Sequence, residues 1–401
     1  MTEIEEPLAY PFPPASSVHH PSPVFARLRE ERPVVRIRTP DGNTAWLATR
    51  YEDVRQVLLD PRFSRAAAAG PDVPLTGIAR LAKESMLGMD PPEHTRLRRL
   101  VASAFTARRV NALRPRVVKL VDDLLTAMQP LRRPADLVEN LSLRLPLQVI
   151  GDLIGVPEQE RRILHDWADT VMGGWTSDPG VLDATIDRVA GYFGELIEAK
   201  RKNPADDLMT VLIAARDEED RLTERELVVL CLGLLIVGHA TTVGHINMFL
   251  LTLLRHPGEF AKLRERPELV PQAVEELLRF IQLSDGGGTL PRVTTEEVEL
   301  GGVRLPAGAV VMQAVNSGNR DPHQFPEPDR LDLDRTANQH LSFGVGVHHC
   351  IGASLARMEL QEALHGLLRH MPDVRVAVPE SELKFKQGMF IKTLEELPVE
   401  W

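Results

Sequence analysis

The most informative segment of this chain is Phe343-Gly344-Val345-Gly346-Val347-His348-His349-Cys350-Ile351-Gly352. It places one of only two cysteines in a glycine-rich loop that leads into a helical pattern over residues 353–368. A thiolate in such a loop can bind a metal ion, and the glycines let the backbone approach a large flat partner. The alternatives are a structural thiol in a glycine-rich turn and a zinc site. The zinc site is disfavoured because adjacent residues do not easily converge on one tetrahedral ion, and no second cluster with ligand spacing stands nearby.

The composition is that of a globular protein with a large core. The 401 residues are 43% hydrophobic and 26% charged, and no linker or low-complexity tract divides them. We therefore predict a single domain over residues 1–401, in which the proline-rich residues 1–20 form an irregular tail. The net charge of −10, without a basic block, argues against a nucleic-acid partner.

The cysteines and the N-terminus indicate a cytoplasmic protein. Cys231 and Cys350 are too few for a disulfide framework, which fits a reducing compartment. The first residues are acidic and lack the apolar region of a signal peptide. The most apolar run, residues 227–237, is too short to span a bilayer before Gly238 and His239 interrupt it, so no membrane association is expected.

Apolar residues at helical spacing dominate the chain, so the fold class is predicted to be mainly α with a small β region. Helices are predicted over residues 23–31, 51–59, 93–105, 107–128, 141–154, 158–171, 183–201 and 271–280. The longest helix begins at a capping box formed by Thr223 and Glu226 and ends before Pro257.

The β-type segments are short. A hairpin is predicted from residues 34–38 and 44–48, with its turn at 41–43. Further β-type segments cover 298–303, 309–314 and 384–393, while residues 65–86 are predicted to form a long mobile loop.

Residues 343–352 resemble the haem-ligating signature of cytochromes P450, Phe-Gly-x-Gly-x-His-x-Cys-x-Gly, at every fixed position. Six fixed residues at set spacing arise by chance in about one chain in a million of this length. Glu276 and Arg279 match the family's Glu-x-x-Arg, and residues 319–322 resemble the segment that this pair binds. The resemblance, to bacterial P450s of natural-product pathways, covers nearly the whole chain. It implies the P450 fold, with haem b between the long central helix and the cysteine-ligand loop.

The resemblance implies a role for each matching residue. Cys350 would be the iron ligand, Phe343, Gly344 and Gly352 would form the loop beside the haem, and Glu276 with Arg279 would be a buried scaffold. The two haem propionates need cations or hydrogen-bond donors. The family pattern supplies four of these: His94, Arg98, Arg292 and His348. For His94 and Arg98, four residues apart on one helix, the alternative is an ordinary solvated helix face.

The long helix departs from the family pattern at one position. Its residues 237–242 read Val-Gly-His-Ala-Thr-Thr, where the family has Ala/Gly-Gly-x-Asp/Glu-Thr-Thr. The resemblance implies that Gly238 leaves room for dioxygen and that Thr241, followed by Thr242, supplies a hydroxyl, but Ala240 replaces the acid. A positioned acid is worth roughly a hundred- to ten-thousand-fold in rate. Protons must then come through Thr241, water, polar groups of the substrate, His239 or His245, unless these two histidines face away from Thr241.

The same resemblance assigns a substrate pocket. Its predicted contacts are Met86, Leu87, Leu234, Val237, Ser284, Gly287, Gly288, Met389 and Phe390. The glycines at 286–288 leave space for a bulky or flat substrate, although an ordinary flexible turn explains them equally well. A medium-to-large secondary metabolite is favoured over a fatty acid.

Three functions remain open from the sequence. The first is a monooxygenase that uses O2, and the second is a P450 oxidase that couples aromatic rings, such as those of cyclic dipeptides, without inserting oxygen. The third is a haem-binding sensor or carrier. No flavin- or nicotinamide-binding fingerprint is present, so the expected electron donors are a ferredoxin and an NAD(P)H-dependent ferredoxin reductase. The ferredoxin is expected to dock near Arg99, His349 and Arg357.

Overall fold

The computed structural model describes residues 6–13, 21–70, 82–173, 178–217, 222–284, 290–389 and 391–401. Helices make up most of these residues. They are α1 Pro23–Glu31, α2 Tyr51–Leu59, α3 Glu93–Ala102, α4 Ala107–Met128, α5 Arg144–Ile154, α6 Arg161–Val171, α7 Pro179–Lys202, α8 Leu208–Asp217, α9 Glu224–Arg255, α10 Pro257–Glu265, α11 Val270–Phe280, α12 Val315–Gly318 and α13 Ala353–His370.

The strands are short and form three small sheets. They are β1 Leu8–Ala9, β2 Val34–Arg38, β3 Thr44–Ala48, β4 Phe63–Ser64, β5 Ala135–Asp136, β6 Arg292–Thr294, β7 Val298–Leu300, β8 Val303–Leu305, β9 Val310–Gln313, β10 Arg375–Val376 and β11 Pro398–Glu400. The largest sheet has the order β1-β2-β3-β9-β6-β4, the second β10-β11-β5, and the third is the pair β7-β8. The predicted mainly α fold with a small β region is confirmed.

The predicted hairpin is confirmed in its register. β2 and β3 pair antiparallel, with Val34 opposite Ala48 and Arg38 opposite Thr44. Gly42, in the turn between them, has a φ of 85°, a conformation that glycine adopts at little cost. This sheet also positions Arg292, because β6 and β4 are its last two strands and β6 begins with Arg292.

Helix α9 crosses the centre of the protein. It starts at the predicted capping box, in which Thr223 Oγ1 accepts the N–H of Glu226 at 3.2 Å and the Glu226 carboxylate accepts the N–H of Thr223 at 2.7 Å. It continues through Gly238 and His239, so these residues do not interrupt it. By length and composition α9 is able to cross a membrane, but 67% of its most apolar window is buried inside the protein. That burial is expected of a core helix.

Four of the predicted helices have different boundaries in the structure. α5 starts at Arg144 because a π-helical turn, Val138–Ser142, precedes it. α7 starts at Pro179, because the carboxylate of Asp178 accepts the N–H groups of Gly180 and Val181 and extends the helix by a turn. The predicted helices over 93–105 and 158–171 each include a 3-10 turn, at Ser103–Phe105 and Glu158–Glu160.

Two β predictions are wrong in detail. Residues 298–303 do not form one segment but belong to the hairpin β7-β8, which turns at Gly301 and Gly302, both with positive φ. The described residues of 384–393 form no strand, only the isolated bridges Phe385–Leu394 and Met389–Gly173.

The N-terminal prediction also needs correction for residues 6–13. Leu8 and Ala9 pair in parallel with Ile37 and Arg38, and the ring of Phe12 lies 5.1 Å from that of Phe25. The aromatic side chains bury the segment against α1, so it is part of the fold rather than a loose tail. Residues 1–5 and 14–20, and residues 71–81 of the predicted mobile loop, lie outside the described part of the chain.

Candidate functional site

The loop that carries Cys350 is closed by its own backbone hydrogen bonds. The N–H of Cys350 donates to the carbonyl of Phe343 at 2.8 Å, and that of His349 donates to Gly346 at 3.0 Å. Gly344 and Gly346 have φ of 65° and 78°, which explains why glycine occupies both positions. Gly352 has an ordinary φ of −83° and starts α13. The loop therefore presents Cys350 at the N-terminus of a helix.

Cys350 is a free, exposed cysteine, and the pKa of its thiol lies above its usual value. Desolvation by the surrounding protein raises the pKa of the thiol, whereas the backbone N–H of Gly352 and the guanidinium groups of Arg98 and Arg357 lower it. A metal ligand needs the deprotonated thiolate form. Within the described residues no group of three or more His, Cys, Asp or Glu side chains is arranged to hold a metal ion, which disfavours the zinc alternative.

Four cationic or ring-nitrogen side chains converge beside this loop. This cation cluster consists of Arg65, His94, Arg292 and His348. The rings of His94 and His348 lie 4.3 Å apart, and Arg292 donates one hydrogen bond of 3.1 Å, to the carbonyl of Phe63. Six of their nitrogen atoms are buried without a hydrogen-bond partner: Arg65 Nε and Nη1, His94 Nδ1, Arg292 Nε and Nη2, and His348 Nε2.

The electrostatics of the cation cluster are uncompensated. Burial lowers the pKa of Arg65 to about 9, with Arg292 adding to the effect, and burial lowers that of Arg292 to about 10. Burial, followed by Arg65 and Arg292, lowers the pKa of His348 to about 2. Among the described residues, Asp90 is the acid that opposes these shifts in Arg65 and Arg292, and its carboxylate already accepts the N–H groups of Arg65 and Ala66 at 3.0 and 3.3 Å. Buried donors in this state need an anion, and the two propionates of haem b fit them in number, charge and chemistry.

The structure brings three of the four predicted propionate residues together and gives Arg98 a different contact. Arg98 donates from Nη2 to the carbonyl of His349 at 2.6 Å, so it braces the cysteine loop. Arg65 was missed by the sequence, because it lies in a segment predicted to be a mobile loop. One arginine there carries no signal that separates it from the other arginines of the chain.

The predicted scaffold pair is confirmed as a buried network. Arg279 donates to both carboxylate oxygens of Glu276 at 2.8 Å, and both side chains are fully buried. Arg279 also donates to the carbonyl of Asn319, while Glu276 accepts hydrogen bonds from the N–H of Asp332 and from Arg335. The network therefore holds the segment that leads to the cysteine loop.

One face of α9 is more exposed than the rest of the helix. Among the mostly buried residues at its centre, the partly exposed ones follow helical spacing: Gly233, Val237, Gly238, Thr241 and His245. The hydroxyl of Thr241 donates to the carbonyl of Val237 at 3.1 Å, and Nδ1 of His245 lies 2.8 Å from the carbonyl of Thr241. Ala240 and Thr242 are buried, so neither shares this face.

The sequence left open whether His239 faces Thr241 or points away from it. In the structure it points away. It is fully buried, and its ring contacts the carbonyl of Leu235 and the ring of His165 in α6, each at 3.1 Å. Packing explains why position 238 is a glycine, since a Cβ there would lie 3.0 Å from Ile150 of α5. A role for Gly238 in making room for dioxygen stays a prediction.

The predicted pocket residues fall into three groups. Met86, Leu87, Val237 and Met389 are partly exposed, whereas Leu234 and Ser284 are buried. The carbonyl of Ser284 accepts a hydrogen bond from Gln282 at 3.1 Å. Gly287, Gly288 and Phe390 lie outside the described residues.

Three features together define a haem-thiolate enzyme. They are the thiol in a glycine-rich loop, the cation cluster and the face of α9 that carries the Thr241 hydroxyl. The family model for Cytochrome P450 matches residues 180–384. The chain is 46% identical to nocardicin C N-oxygenase of Nocardia uniformis subsp. tsuyamanensis, over 98% of both chains. It is 44% identical to mycinamicin IV hydroxylase/epoxidase of Micromonospora griseorubida, over 99% of both.

Solved structures agree with this result. A cytochrome P450 with biaryl coupling reactivity superposes with a TM-score of 0.92 at 39% identity, covering 99% of this chain and 100% of that one. This chain belongs to the cytochrome P450 family. It is therefore an oxidoreductase of the P450 monooxygenase/oxidase class with haem b as its cofactor.

Proposed function

We propose that this enzyme inserts one oxygen atom from O2 into a medium-to-large secondary metabolite, by hydroxylation or epoxidation. The observation that carries the proposal is the cluster of buried, unpaired cations that includes His348, two residues before the exposed Cys350 thiol. The relatives support the reaction type, since one is named an N-oxygenase and another a hydroxylase/epoxidase. A cytoplasmic location and one domain over the whole chain are part of the same proposal.

The residues have distinct tasks in this proposal. Cys350 ligates the haem iron, and Arg65, Arg292, His94 and His348 bind the propionates. Bound haem supplies oxygen activation at its iron. Thr241 supplies a hydroxyl, which donates a hydrogen bond to the carbonyl of Val237. His245 holds the Thr241 carbonyl and is neutral at physiological pH, because burial lowers its pKa to about 4.

The missing acid at position 240 has a structural consequence. Ala240 is buried, so an acid there would need a hydrogen-bond partner within the protein or would carry a raised pKa. We propose that water or polar groups of the substrate deliver protons to the oxygen side instead. Ala240→Glu tests whether the alanine matters, through the product distribution and the fraction of electrons that reach product. No change in either would show that the alanine has no special role.

Electrons are proposed to come from a ferredoxin and its NAD(P)H-dependent reductase, at the surface outside the cysteine loop. Arg99 is exposed there, and two apolar side chains, Val347 and Leu59, are 50% and 44% exposed. Gly346, the residue before Val347, packs against Leu59, since a Cβ on this glycine would lie 3.2 Å from the Leu59 side chain. Arg357 is less available than predicted, because Glu275 accepts two hydrogen bonds from it, at 2.7 and 2.9 Å. Arg99→Glu should slow reduction by ferredoxin, most clearly at low salt.

The first test is the absorbance of the reduced enzyme with carbon monoxide. A thiolate-ligated haem gives the red-shifted absorbance maximum that names the family, and Cys350→Ser should abolish it. A wild-type enzyme that is folded and fully loaded with haem but lacks this maximum would contradict the role of Cys350.

A second candidate function is oxidative coupling of aromatic rings without oxygen insertion. Similarity to a solved P450 with biaryl coupling reactivity favours it, and so does the alanine at position 240. Product mass separates the two reactions, because oxygenation adds one oxygen atom whereas coupling only removes hydrogen. A non-catalytic haem sensor or carrier is disfavoured, because relatives matching almost the full chain are named enzymes.

A further inference from the structure

A chain of four polar side chains joins α9 to the turn that carries Met389. We define this polar chain as His239 in α9, His165 and Asp169 in α6, and Lys386. Nε2 of His239 lies 3.1 Å from Nδ1 of His165, and Nε2 of His165 lies 3.6 Å from Asp169 Oδ2. The same oxygen of Asp169 forms an ion pair with Lys386. The polar chain therefore runs from the centre of the protein to its surface.

The hydrogen-bond partners determine which ring nitrogens carry protons. The carbonyl of Leu235 is only an acceptor, so Nδ1 of His239 must carry a hydrogen and donate to it. Nε2 of His239 is then an acceptor, and His165 must donate to it from Nδ1. Burial lowers the pKa of both imidazoles, to about 4 for His239, so this neutral arrangement holds at physiological pH. Nε2 of His165 then carries no hydrogen, so its 3.6 Å approach to Asp169 is not a hydrogen bond. The two contacts are joined because His165 and Asp169 both belong to α6.

The polar chain lies between two functional regions. At one end, His239 stands between Gly238 and Ala240, directly beside the Thr241 face of α9. At the other end, Lys386 precedes the turn at Met389, and Met389 itself pairs with Gly173, just after α6. Helix α6 is thus attached by polar contacts to both regions. Because a buried imidazole without its partner is costly, α6 cannot shift against α9 without breaking a well-defined hydrogen bond.

We propose that the polar chain fixes α6 and the Met389 turn against α9, making His165 and His239 positioning residues that set which substrate shapes the pocket accepts. The inference rests on the proposed function for the part played by Met389 in the pocket. The attachment of α6 to α9 does not depend on it.

The experiment compares His165→Leu, which cannot donate to His239, with His165→Asn, whose side-chain amide can. Asp166→Asn is the matched control, because Asp166 is exposed on the same helix one residue away. The first readout is hydrogen exchange of the α6 amides in the haem-loaded enzyme. We expect exchange to rise about ten- to a hundredfold in His165→Leu and to stay near wild type in the other two variants.

The second readout is the affinity for imidazole and for 4-phenylimidazole, followed by the Soret shift of the ferric enzyme. Imidazole reports access to the haem, whereas the phenyl ring also tests the pocket wall. His165→Leu should change the dissociation constant of 4-phenylimidazole by about threefold or more and leave that of imidazole within about twofold.

Each other result overturns part of the inference. Wild-type exchange in His165→Leu, or equal behaviour of the leucine and asparagine variants, would show that the hydrogen bond does not hold α6. Raised exchange with unchanged affinity for both probes would refute the positioning role and leave the proposed P450 function intact. If His165→Leu does not fold, Lys386→Met breaks the surface end of the chain, and an unchanged affinity for 4-phenylimidazole there would also refute the positioning role.

Discussion

Replacing Arg65 with methionine is predicted to weaken haem binding strongly. Nε and Nη1 of Arg65 are buried without partners, so a propionate can accept charge-assisted hydrogen bonds from them. Such bonds contribute about 1.5–3 kcal/mol each. The side chain is also costly in the haem-free state, because burial and Arg292 lower its pKa to about 9. Methionine removes the attraction to the propionate, which weakens the haem-bound state. It also removes the buried charge, which stabilises the haem-free state. Both changes favour haem release.

The expected loss of haem affinity is about 2 kcal/mol, or roughly 30-fold. The assay is transfer of haem from the ferric enzyme to excess apomyoglobin, followed at the Soret band. Arg62→Met is the matched control: Arg62 lies at the surface, where it pairs with Asp60, and such a pair is worth about 1 kcal/mol or less. If Arg65→Met releases haem at the wild-type rate, or no faster than Arg62→Met, the cation cluster is not the propionate site.

Three further predictions concern stability and are measured by urea unfolding of the haem-loaded enzyme. Glu276→Gln breaks a fully buried ion pair and should cost about 3–5 kcal/mol, whereas Glu327→Gln, in an exposed pair, should cost about 1 kcal/mol or less; equal losses would contradict the scaffold role. Gly366→Ala places a Cβ 2.3 Å from a valine of α4 and should cost about 1–3 kcal/mol, while Gly191→Ala, in open space within α7, should stabilise by about 0.5–1 kcal/mol. Burial raises the pKa of Glu359 from 4.5 to about 8, so the native state keeps a proton that the unfolded chain loses. The free energy of unfolding should therefore fall as the pH rises from about 5 to 8, and Glu359→Gln should flatten that slope; a slope equal to that of wild type would show that Glu359 is not its source.

The signals that succeeded in the sequence are local ones. The capping box at Thr223 and the hairpin at residues 34–48 depend on groups a few residues apart, and both are present as predicted. Glu276 and Arg279 lie on one face of a helix turn, so their pairing also follows from spacing. The glycine positions of the cysteine loop are local too, since each positive φ is a property of a single residue.

The features that the sequence missed or left open depended on how distant segments pack. Arg65 joins Arg292 because β4 pairs with β6, and nothing near Arg65 in the chain reports that pairing. The direction of His239 depends on the rotation of α9 about its axis and on the position of α6, which places His165 opposite it. The segment 6–13 reads as a tail because its aromatic residues find their partners only after α1 and β2 have formed.

The amino-acid order thus specifies the family, the thiol that is proposed to bind iron and the loss of the acid at position 240. Each of these is a matter of residue identity at a fixed spacing. Two features are settled only when helices and strands pack. One is the set of cations in the cation cluster, and the other is whether His239 of α9 points towards Thr241 or towards α6. Those contacts join side chains that are far apart along the chain, and their free energy exists only in the folded protein.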